Sequence, residues 1–185
     1  MEKQMIISVM SKDRPGIIAE VTGAIFQLNG DLADLSQSIL RGYLTMTLLA
    51  AFPEEVTPQD VHSAIAHVKS GNRYDVIVKS MNTPVDMAPT ALPAKTYIVT
   101  AQGENKSGLV YGISSFCFER NINILDLSTT LTDGCYTMIL QIDLSEIDSI
   151  KDLRQDLDKY AEKAGMHVMM QHYDIFKVTH EVTLI

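Results

Sequence analysis

The stretch Asn29-Gly30-Asp31-Leu32-Ala33-Asp34-Leu35-Ser36 decides the fold, because its pattern recurs. Ninety-two residues later the chain reads Asn121-Ile122-Asn123-Ile124-Leu125-Asp126-Leu127-Ser128. Working outward, residues 5–48 lie on 97–140 without a gap, with 11 identities in 44 positions, including Gly16/Gly108, Phe26/Phe118, Gly42/Gly134 and Leu48/Leu140. Many other pairs are apolar on both sides, such as Ile17/Leu109 and Val21/Ile113. A repeat of this length carries a whole supersecondary unit. Between the copies, residues 82–95 hold Pro84, Pro89 and Pro93, half of the six prolines. Proline fixes its own torsion and lacks a donor, so this segment reads as an extended linker. The expected organisation is a first domain at 1–81, the linker at 82–95 and a second domain at 96–185.

Within the first copy, Gln4–Met10 reads as a strand and Ser11–Gly16 as a loop. Pro15 suits the first position of a helix. Ile18, Val21, Ile25 and Leu28 then recur at helical spacing as the expected buried face, and Asn29-Gly30 ends the helix. Asp31–Leu40 and Tyr43–Phe52 form a strand pair around Arg41-Gly42, with Leu44, Met46, Leu48 and Ala50 on one face. Thr57-Pro58-Gln59-Asp60 opens a second helix. Val61, Ile65 and Val68 form its stripe, Gly71 stops it, and Tyr74–Lys79 is the last strand. The second copy repeats the order. Asp133-Gly134 is its hairpin turn, and its second helix, about Ser149–Ala164, turns Leu153, Leu157, Tyr160 and Ala164 inward. The fold class is therefore α+β: two ferredoxin-like βαββαβ domains, each an antiparallel sheet with its helices on one face. The second strand falls at a sheet edge, which invites pairing with another copy and a homodimer.

Composition bounds the function. The 185 residues carry 15 basic and 23 acidic side chains, a net charge of −8, with 46% hydrophobic and 21% charged residues. Split at residue 90, the halves carry −3 and −5. Direct nucleic-acid binding is not expected, since that needs clustered cations. No apolar run approaches a membrane span. No basic leader with an apolar stretch opens the chain, and two cysteines make no disulfide framework, so a cytoplasmic setting is expected. His62 and His67 lack the spacing of a metal pair, and His167 and His172 fall on opposite faces of a strand, so neither metal nor cofactor is expected. Cys117 reads as a core thiol and Cys135 as a turn-side one. No nucleophile or acid–base set assembles, so no catalytic residue is assigned and the protein is not expected to be an enzyme.

Asp13-Arg14-Pro15-Gly16-Ile17-Ile18, followed by Leu28-Asn29-Gly30-Asp31-Leu32, resembles the opening of an ACT domain. The second copy reads Asn105-Lys106-Ser107-Gly108-Leu109-Val110, then Arg120-Asn121-Ile122-Asn123-Ile124. The tandem arrangement is similar to the glycine cleavage system transcriptional repressor group. The resemblance implies regulation by a small amino acid, bound near the loop before the first helix and the start of the second strand of a neighbouring domain. It implies a protein partner, through which transcription of amino-acid metabolism is controlled. Carried onto this sequence, the binding residues are Asp13, Arg14, Pro15, Gly16, Ile17, Asn29, Asp31 and Leu32. In the second copy they are Asn105, Lys106, Ser107, Gly108, Leu109, Asn121, Asn123 and Ile124.

Elementary chemistry is consistent with such a site. Helix N-termini present free N–H groups to a carboxylate, and glycine lets a ligand approach. Asp13 and Asp31, or Asn105 and Asn123, can accept from an ammonium. The same residues have plain structural readings: Asp13 as a helix cap, Gly16 for tight packing, Asp31 as a turn residue. The alternative function is an interaction module with no small ligand.

Overall fold

The computed structural model describes residues 2–68, 73–81 and 91–180. The chain divides into two compact units, Met1–Pro89 and Thr90–Ile185. Residues 82–90 of the expected linker lie outside the described residues, as does Gly71.

The first unit runs β1 (Glu2–Lys12), α1 (Ile17–Gln27), β2 (Asp31–Leu40), β3 (Tyr43–Pro53), α2 (Pro58–Ala66) and β4 (Asp75–Ser80). Its sheet has the order β2-β3-β1-β4, antiparallel throughout. The alternation in β3 does what its period demands: Leu44, Met46, Leu48, Ala50 and Phe52 are buried, with Tyr43, Thr45 and Thr47 exposed between them. Met5, Ile7 and Val9 of β1 join them, and Val21 and Ile25 of α1 and Val61 and Ile65 of α2 close one core over that sheet face. The second unit repeats the plan with β5 (Thr96–Glu104), α3 (Leu109–Phe118), β6 (Asn123–Thr132), β7 (Cys135–Asp143), α4 (Ile150–Ala164) and β8 (Met166–His172), in the sheet order β6-β7-β5-β8. A further helix that the sequence pattern did not announce, α5 (Tyr173–His180), follows β8 and contacts β5 and β8.

The duplication reaches further than the quoted identities. Val9 pairs with Val76 in the first sheet, and Ala101 with Val168 in the second, both partners displaced by 92. The β-bulge between Leu32 and Asp34 recurs between Ile124 and Asp126. Thr57 caps α2 and Ser149 caps α4, each accepting from the N–H of an aspartate three residues on. One offset thus relates the whole of β1–β4 to β5–β8.

Helix phase is where the sequence reading needs correction. Gly16, in the left-handed region at φ 95°, is the N-cap of α1, so Pro15 lies before the helix and not at its first position. The buried face starts accordingly at Ile17 (1% exposed), continuing through Val21, Ala24 and Ile25, and Ile18 faces outward at 42%. On α4 the third inward residue is Ala161; Tyr160 and Ala164 are only partly buried. The chain leaves α2 at Ala66, with His67 as the cap, several residues before Gly71. Phe26 and Phe118, identical in the two copies, are 78% and 84% exposed, so their match owes nothing to the cores.

At the end of α1 the Asn29-Gly30 pair divides its work. Asn29 takes the left-handed conformation (φ 54°), which asparagine tolerates. Its N–H donates to the Phe26 carbonyl and that of Gly30 to the Ile25 carbonyl, a Schellman closure. Asn121 (φ 55°) and Ile122 make the same two bonds to Phe118 and Cys117. At α2 the capping box is complete: Thr57 Oγ1 accepts from the Asp60 N–H at 3.2 Å, and Asp60 Oδ2 accepts from the Thr57 N–H at 2.8 Å. Thr57→Ala is expected to destabilise the first unit by about 1 kcal/mol, read by chemical denaturation. The Thr57 hydroxyl and then its N–H hold the Asp60 carboxyl below its ordinary value. That contribution is present above the unfolded-state pKa and fades as pH falls through the lower folded-state value.

Cys117 is buried in the second core, and burial pushes its thiol up to about 11, whereas Cys135 is exposed. A thiol reagent at neutral pH is expected to modify one equivalent quickly and the second only on unfolding. Two fast equivalents would contradict this burial.

Candidate functional site

In each unit the loop between the first strand and first helix is tied to the hairpin turn beside it. The Asp13 N–H donates to the Gly42 carbonyl at 2.8 Å, and the Asn105 N–H to Gly134 at 3.3 Å. Both hairpin turns have two successive positive φ values, Arg41-Gly42 and Asp133-Gly134, the geometry that closes a two-residue hairpin with the right twist. The loop then enters its helix through a left-handed glycine, Gly16 (φ 95°) or Gly108 (φ 88°). Neither helix has a side-chain cap. Asp13 is therefore not a capping acid.

Both turns are open. A Cβ at Gly108 would meet nothing within 4 Å, and one at Gly16 would meet only the Arg14 and Glu20 side chains, at 3.7 and 3.9 Å. The requirement for glycine comes from backbone conformation and not from close packing.

Around Gly16 a polar triangle closes. Arg14 Nη2 donates to Glu20 Oε2 at 2.7 Å and is 2.7 Å from the Tyr74 hydroxyl, which itself donates to Glu20 Oε2. Arg14 Nη1 donates to the Pro15 carbonyl at 3.1 Å. Burial, followed by the hydrogen bond to Glu20, pushes the Tyr74 phenol up to about 12. Its neutral form is favoured in the folded state. The contribution is therefore complete below the unfolded pKa near 10 and is lost as pH rises through about 12. Arg14 is thus fixed beside the turn, with guanidinium donors to spare. Its neighbours Ser11, Lys12, Asp13, Arg73 and Tyr74 line with it a cavity of about 250 Å³.

The sequence reading named Asp13 and Arg14 but not Lys12, Glu20, Arg73 or Tyr74. Only strand register links Tyr74 to the loop, since it lies one step beyond the Met10–Asp75 pair. Nothing local to Tyr74 signals that.

Within one unit the named residues fall into two separate groups. Asp13, Arg14, Pro15, Gly16 and Ile17 stand at the end of β1. Asp31 pairs with Ala51, which pairs with Gln4 at the other end of that strand. From Gln4 to Asp13 is roughly 30 Å of extended chain at ~3.3 Å per residue. Asn29, Asp31 and Leu32 are therefore remote from their own unit's turn, as Asn121, Asn123 and Ile124 are from Asn105, Lys106, Ser107, Gly108 and Leu109. Asn29 and Asn121 already have a structural task as helix terminators.

Each unit also has a groove between its two helices. In the first it is lined by Glu20, Gly23, Gln27 and His67; in the second by Gly112, Ser115, Glu119 and Arg120. In the second, Arg120 lies over the Phe116 ring at 3.9 Å and pairs with Asp156 at 3.4 Å. Among the described residues no three His, Cys, Asp or Glu side chains gather as a metal site. No helix among them is long and apolar enough to cross a membrane.

The ACT-domain family matches residues 3–78 and again residues 95–171, most of the chain. This chain belongs to the ACT-domain family. A UPF0237 protein of Methanopyrus kandleri is 41% identical over 86 residues, which are 46% of this chain and 96% of that protein. The full tandem arrangement has counterparts among solved structures. An unknown protein from Galdieria sulphuraria superposes with a TM-score of 0.69 at 15% identity, over 93% of this chain and 99% of its own. A protein proposed as a glycine cleavage system transcriptional repressor superposes with a TM-score of 0.69 at 17% identity, over 92% and 97%. At such identities the likeness speaks for a shared tandem ACT fold alone.

Proposed function

We propose that this tandem ACT protein is a non-enzymatic sensor. A small amino acid binds at the turn preceding the first helix of a repeat, and occupancy changes affinity for a protein partner, with transcription of amino-acid metabolism as the controlled output. The observation that carries this reading is the open left-handed turn at Gly16: Asp13 leaves the helix uncapped, and Arg14 is held beside the turn by Glu20 and Tyr74. A ligand carboxylate finds N–H groups and a guanidinium there, and its ammonium finds Asp13.

The second group, Asn29, Asp31 and Leu32, or Asn121, Asn123 and Ile124, serves this reading as the wall a neighbouring domain presents to a bound ligand. The edge strands β2 and β6 are where a second copy would pair, giving a homodimer. A cytoplasmic location accords with the free thiols. A ligand shifts such an assembly only by its differential affinity for the two states.

Thermal-shift measurements with the twenty amino acids test the proposal. One or a few are expected to raise the melting temperature in a concentration-dependent way. No shift with any of them would favour the second reading, an interaction module without a small ligand, to which the exposed Phe26, Phe118 and Tyr111 lend support.

A further inference from the structure

The internal duplication offers a comparison of the two turns under one offset. The cavity at the first turn is walled by three cations, Lys12, Arg14 and Arg73, and one acid, Asp13, with the Tyr74 phenol among them. In a chain of net charge −8 this is a local excess of positive charge. Glu20, on the other side of Arg14, lines the groove between the helices instead. Lys12 and Arg73 form no ion pair among the described residues.

Offset by 92, the same positions in the second repeat are Glu104, Lys106 and Gly165 for the cations, Asn105 for the acid and Met166 for the phenol. Lys106 is its one cation, and it pairs with Glu104 at 3.3 Å. The partner that fixes Arg14 is missing too, since Glu20 is replaced by Gly112, whose space is taken by the Tyr160 hydroxyl. The first turn thus has Lys12 and Arg73 beside Arg14, which is paired with Glu20, against the one acid Asp13. The second has one cation already neutralised.

We propose that the cavity at the first turn selects an acidic amino acid, a ligand with two carboxylates and one ammonium, and that the second turn does not bind it. The inference rests on the amino-acid-sensing reading above and specifies its ligand. The two carboxylates meet Lys12, Arg14 and Arg73, and the ammonium meets Asp13. A guanidinium offers a planar fork to a carboxylate, which strengthens and orients each contact. Asp13 sets the ligand apart from a bare dianion, which it repels. The volume, about 250 Å³, lies just below the range of about 300–1,000 Å³ usual for drug-sized ligands, as suits a molecule of this size.

Isothermal titration calorimetry on the full chain tests it, with L-glutamate and L-aspartate against glycine, L-alanine, glutarate and inorganic phosphate. One of the two acidic amino acids is expected to bind at one site per chain, more tightly than every other probe. Arg73→Gln and Lys12→Gln, both at exposed positions, are each expected to weaken it about tenfold. Asp13→Asn is expected to weaken the amino acid while leaving or improving glutarate. Binding of glycine or alanine as tight as that of glutamate, two equal sites per chain, or an unchanged affinity in Arg73→Gln would overturn this inference and leave amino-acid sensing standing. Phosphate or glutarate binding as tightly as the acidic amino acids would overturn it as well. Binding by no amino acid at all would overturn both proposals.

Discussion

Gly30→Ala is expected to destabilise the first unit by roughly 3 kcal/mol, the upper end for forcing atoms into a filled core. A Cβ there would stand 2.5 Å from the Phe52 ring and 2.8 Å from Ile25 Cγ2, and both side chains are buried to within 1%. Neither has room to retreat. For a unit of this size the melting temperature should fall on the order of 15 °C. Gly23→Ala, in the interior of α1 with nothing within 4 Å of the added methyl, is the control. It should stabilise by about 0.5–1 kcal/mol, because glycine loses more freedom on entering a helix. Denaturant melts of both variants, with hydrogen exchange at Ile25 and Phe52 to localise the effect, check the pair. A Gly30→Ala protein as stable as the parent would contradict the packing of the Phe52 ring against Gly30.

The second repeat explains why glycine sits there. Under the common offset, Gly30, Phe52 and Ile25 become Ile122, Leu144 and Cys117, all buried. The large ring and the branched side chain shrink where the glycine grows, so volume moves between three positions while the core stays filled. No one-position comparison of the copies reveals this trade.

The second large effect concerns ligand binding. At a concentration of about 100 Kd, a bound amino acid should add about 2.7 kcal/mol to the stability of the unit that holds it. Asp13→Ala should remove that gain while leaving the unliganded melt within about 0.5 kcal/mol of the parent, since Asp13 is exposed and caps nothing. A collapse of the unliganded melt would give Asp13 a structural task instead. Melts with and without ligand separate the two outcomes.

How legible this was in the sequence varies by element. The two βαββαβ units followed from the duplication, from alternation in strands such as Leu44–Ala50 and from turn residues at Arg41-Gly42 and Asp133-Gly134, all local or periodic signals. The start of α1 reads two residues early in the sequence because a proline suggests a first helical position. Here Gly16, in the left-handed conformation, is the N-cap, so the first helical residue is Ile17, two positions after Pro15. Helix α5 was missed because it follows the last strand directly, without a turn signal between His172 and Tyr173. At the turn, Asp13 and Arg14 were readable from their motif. Tyr74 reaches Arg14, and Arg73 joins the same cavity, through the pairing of β1 with β4, about 60 residues away along the chain, which no local pattern encodes. Sheet register, equally invisible in sequence, sets Asp31 of one unit beside the end of β1 opposite to that of Asp13.

The most direct measurement of the central claim is a backbone amide NMR titration of the full chain with the amino acid that raises its melting temperature. The account predicts saturable shifts at Asp13, Arg14, Gly16, Ile17, Arg73 and Tyr74, with Asn105–Leu109 unmoved. Shifts confined to other parts of the chain, or none at saturating ligand, would contradict it.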